Sequence, residues 1–372
     1  MNSPFSLVLL GDWVPEASNV SVQLPESAMT LVNLEGPVLH GPPPKPIKKA
    51  GPHLFSRSAP GPQSLNSRKV FCSLANNHFM DFGREGALET VSHLEESHTD
   101  WGGFGENTQE AQTPKRYEVD GVAISILCRT ERQFGSAQLD APGVAGMSPT
   151  LYSEIQAEKA ENRFVIVSFH GGQEDISIPS PARKSLFRSF VDVGADVVWG
   201  HHPHTPQPFE LYQGKLISYG HGNFLVDYSK WQSSNMGLVS LVALGKWTGK
   251  DAEIVWSFRF SKVTSSHSVD LIPEDSEEHR AYSDHLSGLA EILQDDIQHG
   301  RVWNETAIDL YNEYAANFLG WQRGAGLRRL LGFRKEALPE VRFHMFSCES
   351  HREVVETALG KEIGEIDEHK DD

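Results

Sequence analysis

The sequence predicts an α/β fold, and three features carry that prediction. Short apolar runs recur at Phe5 to Leu10, Met29 to Val32, Lys69 to Leu74, Arg163 to Phe169 and Val197 to Trp199, with the length and closure of buried strands. Helical stretches such as Arg84 to Glu96 and Pro181 to Val193 lie between them. Each run also delivers polar groups at its end, on the rim where open α/β sheets build sites.

Composition bounds the rest. The 372 residues allow one large domain with an appendage, and 39% hydrophobic content suffices for a full core. Lys+Arg 33 against Asp+Glu 50 gives a formal charge of -17, and no basic stripe is present to neutralise phosphates, so nucleic acid is excluded as a partner. Cys72, Cys128 and Cys348 are far apart and odd in number, which reads as free thiols in a reducing compartment. The N-terminus lacks a basic segment followed by an apolar one, and no run reaches membrane-spanning length, so a cytoplasmic location is expected. Oligomeric state is left open.

The first run closes at Gly11-Asp12, which puts Asp12 just past a strand, although an isolated Gly-Asp also serves as a turn. Met29 to Val32 delivers Asn33-Leu34-Glu35-Gly36. Residues 41–52 are too proline-rich for regular structure; they read as a basic loop over a site that takes an anion, or as a plain surface insertion. Lys69 to Leu74 leads into Asn76-Asn77-His78, with Asp81 three residues on. An amide beside an imidazole suits metal ligation and proton donation. Equally, the asparagines fit left-handed turn positions and Asp81 fits a helix N-cap. The helix that follows presents Ala87, Leu88, Val91 and Leu94 on one side.

Trp101 to Gly105 is a glycine loop without dinucleotide spacing. Val122 to Leu127 is a strand beside Tyr117 to Val119, residues 130–150 form a long loop, and Leu151 to Glu161 is helical. Arg163 to Phe169 ends in His170. After Val197 to Trp199, His201, His202 and His204 fall on a loop that Pro203, Pro206 and Pro208 bar from helix or inner strand. Imidazoles on stiff backbone suit zinc, or manganese and iron with oxygen ligands beside them. Lys215 to Val226 reads as a strand with a close backbone turn, and Leu238 to Leu244 and Ala252 to Val263 as edge strands. From Glu274 to Asn317 the pattern is helical, with Leu286, Leu289, Ile292, Leu293 and Ile297 in register. Arg323, Arg328, Arg329, Arg334 and Lys335 form a basic patch, either a solvated helix face or a dock for an acidic partner or membrane. Glu349 to Leu359 is a last helix before an acidic tail.

As a series, Gly11-Asp12, Asn33-Leu34-Glu35-Gly36, Ala75-Asn76-Asn77-His78 with Asp81 and Gly83, His170-Gly171, Gly194 through His204 to Gln207-Pro208, and Gly222-Asn223-Phe224 form a recognisable pattern. The series resembles the bacterial CapA-type family named for poly-γ-glutamate capsule biosynthesis, itself similar in fold to calcineurin-like metallophosphatases. The resemblance spans residues 5–262. It implies a four-layer α/β/β/α sandwich over residues 1–264, followed by a helical region, 265–361, and a tail, 362–372.

The same resemblance implies two divalent metal ions, manganese, iron or zinc. It implies Asp12 and His204 on the first, Glu35 at the bridging place, and Asn77, His170 and His202 on the second. His202 is preferred to His201 because His202-x-His204-x-Pro206 matches the parent pattern. His78 is implied as general acid with Asp81 orienting its ring, and Asn33, Asn76, His201 and Asn223 as substrate-binding. Two departures stand out: Val14 where metallophosphatases place a histidine, and a bridging Glu in place of Asp. The implied activity is a metal-dependent hydrolase of capsule, poly-γ-glutamate or surface polysaccharide biosynthesis, acting on a phosphoester or amide in an anionic small molecule or polymer. The alternative is a non-hydrolytic metal-binding assembly or recognition component.

Overall fold

A computed structural model describes residues 5–15, 20–226, 239–247, 254–265, 268–318 and 339–363. In chain order the first half contains β1 (Ser6–Val14), β2 (Ser21–Val22), β3 (Met29–Leu34), β4 (Val70–Ser73), α1 (Gly83–Glu96), β5 (Asp100–Gly102), β6 (Phe104–Gly105), α2 (Thr108–Ala111), β7 (Lys115–Val119), β8 (Val122–Thr130), β9 (Gly143–Val144) and α3 (Thr150–Ala160). Then come β10 (Phe164–His170), α4 (Pro181–Asp192), β11 (Val197–His201), β12 (Phe209–Tyr212), β13 (Lys215–Ser218), β14 (Asn223–Val226), β15 (Val239–Trp247), β16 (Ile254–Ser265) and β17 (Ser268–Leu271). The helices α5 (Glu277–Gln294), α6 (Asp296–Phe318), α7 (Pro339–Ser347) and α8 (Glu349–Glu362) follow.

The strands form two large mixed sheets. One runs β2-β17-β16-β15-β1-β3-β4-β5, with β14 also on β1; the other runs β12-β13-β11-β10-β8-β7. Side-chain alternation assigns the faces. Leu7, Leu9, Leu31 and Phe71 of the first sheet share one apolar cluster with Ile126, Ile166, Val197 and Trp199 of the second, so the sheets pack face to face. On the outer side of the first, Val8, Leu10 and Val32 pack with Ala87 and Leu94 of α1. On the outer side of the second, Val165, Val167 and Val198 pack with Ile155 of α3 and Phe187 and Phe190 of α4. Both sheets are therefore covered on both faces, which is why their strands read as unbroken apolar runs.

Several expectations change. β1 continues to Val14 because β15 pairs its first half and β14 its second, so Asp12 lies inside a strand, not past its end. Residues 215–226 are two strands in different sheets, since the chain crosses between β13 and β14. β15 is internal to its sheet, between β1 and β16, not an edge. Trp101 to Gly105 belongs to β5 and β6, and the loop 130–150 contains β9. Leu88 turns outward at 37% exposure while Thr90 takes the buried place, and Ile297 is 56% exposed. The basic patch 323–335 and the tail from residue 364 lie outside the described residues.

The C-terminal helices pack on this core. Leu286 of α5 joins Val239, Leu241, Phe260 and Ile272, and Leu293 joins the cluster under α4. Trp303 and Ala307 of α6 meet Val354 of α8. Lys184 Nζ of α4 donates to Asp296 Oδ1 at 2.7 Å, and Gln173 Nε2, beyond β10, donates to the Ser350 carbonyl at 3.0 Å. Among the described residues no helix is long and apolar enough to cross a membrane.

One side chain ties the sheets together through a polar bond as well as packing: Trp199, fully buried on β11, donates from Nε1 to the Leu10 carbonyl of β1 at 2.9 Å. Trp199→Phe keeps an aromatic body but strands that buried carbonyl. It is expected to lower stability by about 1–3 kcal/mol, read as a shifted urea midpoint at unchanged slope.

Candidate metal centre

Backbone pairing sets the first ligands. Asp12 lies opposite Asn223 of β14 on one side and Asn33 of β3 on the other. Its N–H donates to the Gly222 carbonyl at 3.0 Å. That approach requires glycine at position 11, where a Cβ would sit 1.9 Å from the Gly222 oxygen. His170 and His201 are partners across β10 and β11. His202 and His204 follow with φ of 106° and 57°, left-handed values that non-glycine residues adopt only when the surroundings enforce them.

These elements bring the predicted ligands together. One atom each from Asp12, Glu35 and His204 lie within 4.8 Å of one another, as do atoms from Glu35, His170 and His202. Glu35 is common to both groups. His170 Nε2 is 3.6 Å and His204 Nε2 3.8 Å from Glu35 Oε1, and His204 Nδ1 is 3.3 Å from Asp12 Oδ2. Asn77 Oδ1 lies 2.8 Å from His170 Nε2.

The four residues expected to bind substrate line the same rim. Asn33, Asn76, His201 and Asn223 are all fully buried. Asn33 Nδ2 donates to Asp12 Oδ1 at 2.7 Å, and Asn76 Nδ2 donates to Asn33 Oδ1 at 3.2 Å. His201 has Nδ1 2.8 Å from His170 Nδ1 and Nε2 2.9 Å from Ser168 Oγ. Asn223 Oδ1 is 3.0 Å from His204 Nδ1. Asn33, His201 and Asn223 thus contact Asp12, His170 and His204 directly, Asn76 holds Asn33, and one atom each from Asp12, His170 and His201 lie within 4.8 Å of one another.

Electrostatics separate the histidines. Burial, reinforced by neighbouring imidazoles, holds His170 and His202 well below the usual imidazole range, and burial brings His201 down to about 3. His204 goes the other way: burial opposes its charge, but Glu35 and Asp12 raise it well above the usual value. Glu35 is raised well above the carboxylate range by burial and then by the Asp12 charge. Asp12 ends below its ordinary value because His204 outweighs the cost of burial.

The donor set fits a cation. Asp12 Oδ2, both Glu35 oxygens and His202 Nδ1 are buried without a hydrogen-bond donor or acceptor in bonding geometry. Unpaired buried carboxylates are costly, and the three nitrogen ligands here are neutral or shared with carboxylates. Imidazole, carboxylate and amide oxygen together suit manganese, iron or zinc.

A family model described as bacterial capsule synthesis protein PGA_cap matches residues 12–228, from Asp12 through Asn223. The chain belongs to this family. The chain is 33% identical over 174 residues to the capsule biosynthesis protein CapA of Bacillus anthracis, covering 45% of this chain and 42% of that protein. It is 33% identical over 181 residues to the PGA biosynthesis protein CapA of Bacillus subtilis, 47% of each chain. A probable polyglutamine synthesis accessory protein of Mycobacterium tuberculosis is 31% identical over 177 residues, 43% of this chain and 46% of that one. The chain thus spans less than half the length of the curated relatives it matches. Every ligand named above falls within the family match.

Beside the ligands lies a second constellation. His78 Nδ1 is 2.8 Å from Asp81 Oδ2; a carboxylate accepts, so Nδ1 donates and Nε2 faces away with its lone pair. Asp81 is not the helix N-cap: Phe82 holds that position without a side-chain bond, and Asp81 accepts instead from the Leu54 N–H at 2.7 Å. Lys49 was not expected here. It extends from the proline-rich loop with its side chain 3% exposed, pairs with Asp81, and places Nζ 3.0 Å from His78 Nδ1. Burial, then the Lys49 charge, lower the His78 pKa.

Glu35→Gln tests the fit. In chelator-treated protein it is expected to raise stability by roughly 1–3 kcal/mol, because it removes a carboxyl that beside Asp12 must either carry a buried like charge or take up a proton, and it adds a donor. With saturating Mn²⁺ the order should invert. Thermal melts in the two conditions read the crossing, and the same change in both would count against a cation site.

Proposed function

We propose that the chain is a metal-dependent hydrolase of capsule or poly-γ-glutamate biosynthesis, acting on a phosphoester or amide of an anionic substrate. The observation that carries this reading is the doubly unpartnered Glu35 carboxylate, shared by two ligand groups and set beside the His78–Asp81 pair. The proposed layering is that of a metallophosphatase sandwich, with the two sheets between their helices. Asp12, His204 and Glu35 are assigned to one divalent cation, and Glu35, His170, His202 and Asn77 to the other. Such a pair supplies Lewis acidity and a clamp for an anionic centre.

The chain's own residues do the remaining work. Asp81 fixes the His78 ring through Nδ1, which aims Nε2 for proton exchange with the leaving group. Lys49 holds the Asp81 carboxylate from the other side. Asn33 and Asn76 lock Asp12, and His201 locks His170, so the ligands are set before substrate arrives.

One observation favours a non-hydrolytic binding role: Val14 is buried opposite its strand partner Val226, so no imidazole stands at that position beside Asp12. His78 separates the two readings. His78→Ala is expected to lower turnover on a phosphodiester and γ-glutamyl amide panel by about 10²–10⁴ with metal content unchanged. Metal content is read by elemental analysis. Activity that survives complete metal removal would sink the hydrolase reading.

A further inference from the structure

We propose a second, mononuclear metal site that includes a thiolate, built from His344, Cys348 and His351 at the junction of α7 and α8. One ligand atom from each of the three lies within 4.8 Å of the others. Their spacing explains the convergence. The Cys348 N–H donates to the His344 carbonyl at 3.2 Å, Cys348 caps α8, and His351 falls in the next turn. The extended backbone at Cys348 turns the chain between the two helices, so the last turn of α7 and the first turn of α8 meet at the thiol.

The rings are already oriented for ligation. His344 Nε2 is 3.3 Å from Gln133 Oε1, and His351 Nδ1 is 3.4 Å from the His344 carbonyl. Both oxygens accept, so those nitrogens carry hydrogen, and His344 Nδ1 and His351 Nε2 keep their lone pairs. Ligating histidines are held in this manner, with the second nitrogen donating to an oxygen. The rings stand edge-on, 4.6 Å apart at 68°, and Phe134 and Tyr314 wall them at 5.4 and 4.8 Å. Burial, then the neighbouring His351, bring the His344 pKa down to about 3, which keeps it in the neutral, ligating form.

Cys348 is buried, and its thiol lies 3.4 Å from Glu131 Oε2 and 3.2 Å from Ser350 Oγ. Glu131 is itself paired with Arg183. Burial raises the thiol pKa, so the proton leaves only when a cation takes its place: thiol plus M²⁺ gives thiolate–M²⁺ plus one H⁺ released to solvent. Two imidazoles and a thiolate select zinc over magnesium, calcium or manganese. Bond lengths of about 2.0–2.3 Å give a tetrahedral edge of roughly 3.3–3.8 Å, so the side chains close by about 1 Å, and a fourth place stays open. The site lies beyond the family match at residues 12–228.

Sulfur makes the test specific, because the Glu35 centre draws on nitrogen and oxygen alone. The whole chain, kept reduced, is titrated with Co²⁺; a thiolate-to-cobalt charge-transfer absorption is expected in the near ultraviolet. Zinc-loaded protein is expected to show sulfur scattering at about 2.3 Å by X-ray absorption. Cys348→Ser should remove both signals and about one equivalent of zinc, and His351→Ala should weaken zinc binding by roughly tenfold or more. Charge transfer that persists in Cys348→Ser overturns the proposal. So does zinc-loaded wild-type protein without sulfur scattering, a measurement that needs no variant to fold.

Discussion

The Glu35 carboxylate is the constraint on which the rest depends. It is fully buried, neither oxygen meets a hydrogen-bond donor, and Asp12 lies close enough to push its pKa up. Alone, the pair relaxes only by sharing a proton. A cation removes the conflict at once, and the surrounding chain is shaped as if for one. Burial and the neighbouring imidazoles hold His170 and His202 well below the usual imidazole range, so these rings do not bring competing charges to the carboxylate. His202 and His204 also hold positive φ values, backbone strain of the kind that collects at functional sites.

Rigidity behind the ligands comes from both sheets. Asn33 on β3 steadies Asp12 on β1, and His201 on β11 steadies His170 on β10. Ser168 Oγ donates across the sheet interface to Ser73 Oγ at 2.9 Å while also meeting His201. The polar rim is therefore continuous with the apolar interface beneath it, where Trp199 bonds the Leu10 carbonyl. Sliding one sheet over the other would break ligand geometry and core packing together. The site inherits its precision from the interface.

The strand runs and the rim residues were legible in the sequence because both leave local signals: an unbroken apolar run, then a polar group. Asp12, Glu35, Asn77, His170, His202 and His204 are all of that kind. Asn33, Asn76 and His201 were legible as residues of the rim, while the hydrogen bonds they make there were not, since a side chain's direction depends on strand register. Lys49 left only a general signal, as part of a basic loop that could overhang a site; its pairing with Asp81 was not legible. It lies in a proline-rich loop with no periodicity, and its burial is set by Asp81, 32 positions away by residue number. The crossing between β13 and β14 was hidden for a related reason: Gly220 to Gly222 looks like a turn within one sheet, and only packing shows that it joins two. Cys348 was read as one isolated thiol among three, because cysteine counting ignores the histidines three and four residues away.

The proline-rich loop gains its meaning from what its two adjacent lysines do. Lys49 points inward to Asp81, and Lys48 pairs with Glu340 on α7. The Ile47 N–H also donates to the Asp81 carbonyl, at 2.9 Å. One dipeptide therefore joins the residue that orients His78 to the first turn of a helix more than 250 positions later. Extended, proline-stiffened backbone suits that task, since it presents successive side chains in different directions and has little freedom to withdraw them. α8 is tied down independently, through Gln173 to Ser350 and through Glu131 to Ser350 and Cys348. The helical region is fastened to the rim at the loops that follow β8 and β10, the strand that carries His170. Its attachment and the metal centre rest on the same strand ends, so a shift in one is felt in the other.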